Sequence, residues 1–418
     1  MLIPIVKSQK QEFETHTLPN GFTILIRYHD SPVVHTGLHI RAGTRDELPH
    51  EQGIAHFTEH MLFKGTSKHS ARYLLTRLDE KGGELNAFTT RENTVLHATI
   101  FKKYYREAIE HLLEIALDST FPEKEIRKEA EVIHDEILSY RDSPSDALLD
   151  EFDELLTGGH PIGRNILGTP ESIASFTQEN FIRFTRQFYR PDNMILFFSG
   201  KVKPERILSL AESALRYKTF APSTRSRTQS PVHHHFNLKK KKPNHQCHAA
   251  FGILAPGVHH PHFPALSLLN HLLGGPGLNN LLNLNIREKY GLTYELESFY
   301  HPYSDCGFLG IYFGTDKSSL DKVIKLIQKE LFKLIDTPLS ERKLMKARIQ
   351  FMGHFLIQQE NALSRIINAA RSYELFTKIE STAQIWDKLL EITPQTLQQI
   401  TAEYLHPERL SYLIFESE

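Results

Sequence analysis

Two histidines stand four residues apart, with a glutamate directly before the second: His56-Phe57-Thr58-Glu59-His60. No Pro or Gly interrupts residues 54–64, so this run is expected to be one helix, stopped by Gly65. On a helix, positions i and i+4 lie on one face, one turn apart. Both imidazoles then stand side by side, as two ligands of one metal ion require. Glu59, at i+3 from His56, shares that face. It can reach a water at the metal without being a ligand itself.

Such a centre needs a third protein ligand. The helix expected over residues 123–140 holds Glu125, Glu129, Glu131, Asp135 and Glu136. Most of these acids read as a solvated face. Glu129 and Glu136, however, are seven residues apart and share a face, with Val132 and Ile133 on or near it. That face is expected to be partly buried, and a buried carboxylate needs a partner. Glu136 is therefore the candidate third ligand. Two neutral imidazoles and one carboxylate around Zn2+ leave the fourth position for water, as in catalytic rather than structural sites. The order His-x-x-Glu-His is the inverted form, found in inverzincins, of the zinc-peptidase pattern His-Glu-x-x-His.

The elements that must position these residues span much of the chain. Short strands are expected on either side of Pro19-Asn20-Gly21, then over 33–42. A helix over 71–81 ends at Gly82-Gly83, and 85–90 with 94–101 form a hairpin. Helices over 103–118 and 123–140 follow, then a helix after Phe176 and a strand over 194–199. From 219 to 244 the chain is rich in Pro, Ser, His and Lys, including His233-His234-His235 and Lys239 to Lys242. This reads as a solvated connection. The expected division is a metal-binding domain over 1–220, a linker over 221–245 and a second domain over 246–418.

The second half repeats the first. Residues 177–191 align with 393–407 at an offset of 216, with apolar positions, the closing proline and the following strand in register. A period this long means duplicated domains. The same offset carries the His motif onto 272–276 and Glu136 onto Met352, so the second half has no equivalent site. Its simplest task is to shape the cleft. Within it, a helix over 264–273, the loop Gly274-Gly275-Pro276-Gly277 and a helix over 278–289 are expected.

Composition excludes several classes. With 418 residues, two or more domains are expected. A net charge of −1 gives no general attraction to nucleic acid or anionic membrane. No run of 18 apolar residues occurs, so no membrane-spanning helix is expected. The first apolar run is broken by Pro4 and is too short for a signal-peptide core. Cys247 and Cys306 are the only cysteines and read as inert, reduced thiols, which suits a cytoplasmic chain.

Several stretches together resemble a known family. They are Asn20-Gly21, Ala42-Gly43-Thr44-Arg45, residues 53–66, Gly82-Gly83 with Asn86-Ala87-Phe88-Thr89, and residues 287–294. In this order the chain resembles the pitrilysin/insulinase-type zinc metallopeptidases, and among them the mitochondrial processing peptidase β subunit and its bacterial relatives. The resemblance covers nearly the whole chain. It implies an α+β fold of two homologous domains, each a mostly antiparallel sheet flanked by helices, facing each other across a cleft. It implies that His56, His60 and Glu136 bind zinc, that Glu59 is the general base, and that Glu129 supports the ligands from behind. Asn86, Ala87 and Phe88 match an edge strand that pairs with an extended substrate. Arg287 and Tyr294 match residues that reach the substrate and its oxyanion. One departure is Gly274 to Leu281, where many relatives have Ser-Arg-Leu-Phe. The function implied is a zinc-dependent endopeptidase for extended peptides or unfolded segments, working as a homodimer or with a related subunit. The runner-up is a non-catalytic scaffold, or the partner subunit of a heterodimeric processing peptidase.

Overall fold

Apolar, β-branched runs become strands where both of their faces can be covered. The computed structural model describes residues 12–216, 218–220, 227 and 229–418. The chain opens with β1 (Phe13–Thr17), β2 (Thr23–Arg27) and β3 (Val33–Ile40). Then come α1 (Ile54–Met61), α2 (Ala71–Asp79), the hairpin β4 (Glu84–Thr89) and β5 (Thr94–Phe101), α3 (Tyr105–Asp118) and α4 (Glu123–Asp142). Next are α5 (Pro144–Thr157), α6 (Pro170–Ser175), α7 (Gln178–Phe188), β6 (Met194–Ser199) and α8 (Pro204–Leu215). The later part holds β7 (Asn237–Lys242), β8 (Cys247–Pro256), α9 (Phe263–Gly274), β9 (Thr293–Pro302) and β10 (Cys306–Thr315). It closes with α10 (Leu320–Asp336), α11 (Glu341–Gln359), α12 (Ala362–Phe376), α13 (Thr382–Leu390), α14 (Pro394–Tyr404) and β11 (Ser411–Ser417).

Two compact units result. The first takes its described residues from 1–139, 164–228 and 358–379. Its sheet runs β1-β2-β6-β3-β5-β4 and is antiparallel except for the β2–β6 pair. Strand alternation separates its two faces. Ile24, Ile26, Leu96 and Phe198 enter the larger core with α1, α3 and α7, while Leu25, Val95, Ile195 and Phe197 pack against Ile366, Ala369 and Ala370 of α12. The second unit comprises 140–163, 229–357 and 380–418, with a sheet β7-β11-β8-β10-β9 in which only β7–β11 is parallel. Leu148, Phe152 and Leu156 of α5 fill its core against Phe308 and Phe415. The repeat is visible in the elements: α7 and β6 recur as α14 and β11 at the 216-residue offset.

The structure departs from the expected elements in four places. The motif helix ends at Met61, because Phe63 and Lys64 turn back onto the carbonyls of His60 and Met61, and Gly65 (φ +134°) pairs with Ser70. The compact units are not contiguous halves, since α5 groups with the second and α12 with the first. The 221–245 stretch is not a solvated connection throughout: residues 237–242 form edge strand β7, whose exposed lysines suit an edge that must not recruit further strands. Within that stretch, His233 accepts a hydrogen bond from the Leu254 amide at 3.3 Å. The helix expected over 278–289 starts late and carries a π-helical turn, Asn283–Glu288. Asn280 causes the delay. Its amide nitrogen donates to the Gly275 and Gly277 carbonyls at 2.9 Å, and its oxygen takes the Asn283 amide at 2.8 Å.

Candidate metal centre

The entry into α1 is built by a buried carboxylate. Glu47 accepts the amides of Gly53 and Ala55, each at 2.9 Å, and so satisfies the free N–H groups of the helix start. Burial pushes the Glu47 pKa well up, against the pull of those two donors. Gly53 is required here: its φ is +90°, and a Cβ would lie 2.6 Å from the Leu167 carbonyl oxygen. Sequence reasoning missed Glu47; the only signal was its place before a helix start.

Helix α1 then presents the motif as expected. The His56 and His60 rings are 4.6 Å apart with planes at 61°. Glu136 comes from α4, and its Oε2 lies 3.9 Å from Nε2 of each histidine. Among the described residues, His56, His60 and Glu136 form a group whose ligand atoms all lie within 4.8 Å of one another. Tetrahedral Zn2+ with bonds of about 2.0–2.1 Å spaces its ligand atoms about 3.4 Å apart, so small side-chain movements suffice. The donor set fits zinc: two imidazole nitrogens and one carboxylate.

Electrostatics agree with that fit. Burial, then the neighbouring His60, lowers the His56 pKa to about 3, which keeps its ring neutral. His60 is buried too, but its hydrogen bond to Glu129 and the charges of Glu59, Glu129 and Glu136 outweigh burial and raise its pKa. Its Nδ1 lies 2.9 Å from Glu129 Oε1, which leaves Nε2 for a metal. Burial would raise the Glu129 pKa, but the bonds from His60 and Lys64 overcome it and lower it. Lys64 Nζ sits 2.5 Å from Glu129 Oε2. The i+4 spacing from His60 was the signal for Lys64, and it went unread.

Glu59 is 9% exposed and accepts a hydrogen bond from Thr89 Oγ1 at 2.6 Å. Burial raises its pKa, partly offset by Thr89 and His60 and reinforced by Glu136. Thr89 stood in the stretch that carries the resemblance, but its contact with Glu59 was missed; it closes β4, directly after the three strand residues singled out in the sequence. Those three, Asn86, Ala87 and Phe88, lie on the outer strand of the first sheet, with Asn86 and Phe88 exposed and Ala87 half-buried. Along α4, Glu129 and Ile133 are buried but Val132 is 51% exposed, so only one of the two expected apolar residues lines the face.

Arg287 and Tyr294 belong to the second unit. Arg287 lies in the π-helical turn, with Nη1 3.5 Å from Asn283 Oδ1. Tyr294 is the second residue of β9 and is 79% exposed, so its phenol is not a core side chain.

Comparison with known proteins places the fold and the family. An uncharacterized zinc protease, YmxG, of Bacillus subtilis (strain 168) is 31% identical over 377 residues, covering 90% of this chain and 91% of its own. An uncharacterized zinc protease of Rickettsia felis is 30% identical, covering 92% of each chain. A protease from Helicobacter pylori has the same fold, with a TM-score of 0.87 at 20% identity over 97% of this chain and 99% of its own. A peptidase M16 inactive domain from Pseudomonas fluorescens gives 0.88 at 18% identity, over 97% and 98%. Residues 23–170 match the family described as insulinase (peptidase family M16), and residues 175–351 match the peptidase M16 inactive domain. The chain belongs to peptidase family M16.

Proposed function

We propose that this chain is a zinc-dependent endopeptidase that hydrolyses peptides or unfolded segments bound in extended form. The convergence of His56, His60 and Glu136, with Glu59 on the same helix face, carries this reading. When bound, zinc polarises a carbonyl and lowers the pKa of a water from about 15.7 to about 7. His56 and His60 hold their ring lone pairs toward the centre, and Glu129 fixes the His60 tautomer. Glu59 takes a proton from the attacking water and passes it to the leaving amine, so it ends the cycle as it began. Its raised pKa suits both halves of that transfer. Substrate backbone adds beside β4, and side-chain pockets then supply selectivity. Arg287 binds substrate carbonyls or carboxylates, and Tyr294 donates to the developing oxyanion. The chain works in the cytoplasm, paired with a copy of itself or with a related subunit.

The test is a pair of variants in the purified chain. Glu59→Gln should keep its zinc and lose about 100-fold or more in peptide cleavage, the scale of general-base removal. His60→Ala should lose most of the metal. Cleavage by Glu59→Gln within a few-fold of the parent would falsify the base assignment. A parent chain that holds zinc yet cleaves nothing alone would instead mark a subunit that needs a partner.

A further inference from the structure

The second unit contains a histidine pair that the proposed reaction does not use. His271 lies on α9 and His354 on α11. Their ring centroids are 5.1 Å apart, with planes at 70°. Two imidazoles bound to one tetrahedral ion by bonds of about 2.0–2.1 Å place their ring centroids about 5.2 Å apart. The pair already stands at that separation, and resembles the 4.6 Å and 61° of His56 and His60. The two helices also occupy matching places in the repeat. The 216-residue offset carries the α1 motif onto the end of α9 and Glu136 onto Met352 of α11.

One of the two rings carries a nitrogen that the protein around it leaves unsatisfied. His354 Nδ1 is buried and has no hydrogen-bond partner. His271 is 9% exposed, and burial followed by the proximity of His354 brings its pKa down to about 4. An unpaired buried nitrogen costs stability unless something accepts or supplies its bond. Phe351 borders His271, its ring centroid 5.5 Å away. Gly277 faces His354: a Cβ there would approach Cε1 to 3.2 Å, and φ is +97°. Gly277 is also exposed, so the pair lies under a loop that solvent reaches.

We propose that His271 and His354 form a second metal site, which takes a nitrogen-preferring divalent transition ion such as Zn2+, Cu2+ or Ni2+. Imidazole suits these ions, and waters entering past Gly277 complete the coordination. Among the described residues no carboxylate or thiolate joins the pair as a third ligand. The site is accordingly weaker than the one on α1 and fills after it. An ion here ties α9 to α11 and removes the cost of the unpaired His354 nitrogen.

The site is tested apart from the first centre. In full-length protein carrying both His56→Ala and His60→Ala, Zn2+ is titrated by equilibrium dialysis with elemental analysis. About one ion per chain should still bind, and melting should shift upward with Zn2+. Adding His354→Gln should weaken that binding about tenfold or more, and His271→Gln should do the same. Cu2+ in place of Zn2+ should show electron-spin coupling to two nitrogens, reduced to one by His354→Gln. The half-buried position of His354 makes its variant the safer one should His271→Gln fail to fold. The proposal is overturned if the doubly substituted chain binds no ion, or if His354→Gln leaves binding and coupling unchanged. In the second case the ion is held elsewhere on the surface.

Discussion

Behind His60 stands a short chain of charge, His60 to Glu129 to Lys64, which in the proposed reading makes the imidazole a better ligand. The carboxylate holds the Nδ1 proton and so directs the Nε2 lone pair outward. The bonds from His60 and then Lys64 hold the carboxylate's pKa down despite burial. Glu129→Gln can still accept from Nδ1 but gives up the charge and the lysine. Its zinc affinity should fall about 10- to 100-fold, the range for losing such an outer partner. Competition with a chelator of known affinity measures this. Glu131→Gln, exposed on the same helix, is the control and should change nothing. Equal affinities in the two variants would show that His60 needs no help from behind.

At the scale of elements, the helices and strands that carry the motif were legible because their periodicity is strong. The His motif, the hairpin and the repeat at offset 216 all follow from local spacing. What the sequence hid was partnership over distance. Nothing local announces that α5 packs with the second sheet or α12 with the first, since an apolar face does not name what covers it. Thr89 and Lys64 were hidden for the same reason: their roles lie in contacts with Glu59 and Glu129. Buried histidines on such elements also set how stability varies with pH. His111 on α3 bonds to the Leu74 carbonyl oxygen at 2.9 Å and is fully buried. Burial, despite that bond, lowers its pKa from 6.5 to about 4. The unfolded chain thus takes up a proton below 6.5 that the folded chain refuses until about 4. Stability from this group is intact above that window and falls as pH falls through it. Urea midpoints should therefore drop between pH 7 and 5, and His111→Gln should flatten the slope. An unchanged slope would show that His111 is not the group responsible.

For the whole molecule, the second unit and the interleaved helices each set a test. If Tyr294 donates to the oxyanion, Tyr294→Phe should keep its zinc and lose turnover by about 2.7–4 kcal/mol, the cost of one such donor. Arg287→Ala should raise the Michaelis constant more than it lowers turnover. Unchanged constants in both would confine the chemistry to the first unit. The second test concerns whether residues 1–220 fold alone, as a division into halves requires. In that fragment α12 is missing, so Leu25, Val95, Ile195 and Phe197 lose their cover. His39, 1% exposed as a side chain, loses Glu374, whose Oε2 lies 2.5 Å from its Nε2. At the same time α5 remains with Leu148, Phe152 and Leu156, each fully buried in the intact chain, facing water. Exposing such side chains costs about 1.5–3 kcal/mol each. The four strand residues alone forgo about 6–12 of the roughly 5–15 kcal/mol that holds a domain together, and the exposed α5 face adds a sticky surface. The fragment should therefore show no cooperative urea transition and should bind a hydrophobic dye strongly, while the full chain unfolds cooperatively and binds little dye. Zinc binding should be lost with the fold, although every ligand is present. A fragment that unfolds cooperatively and retains zinc would show that α12 covers the sheet without holding it together.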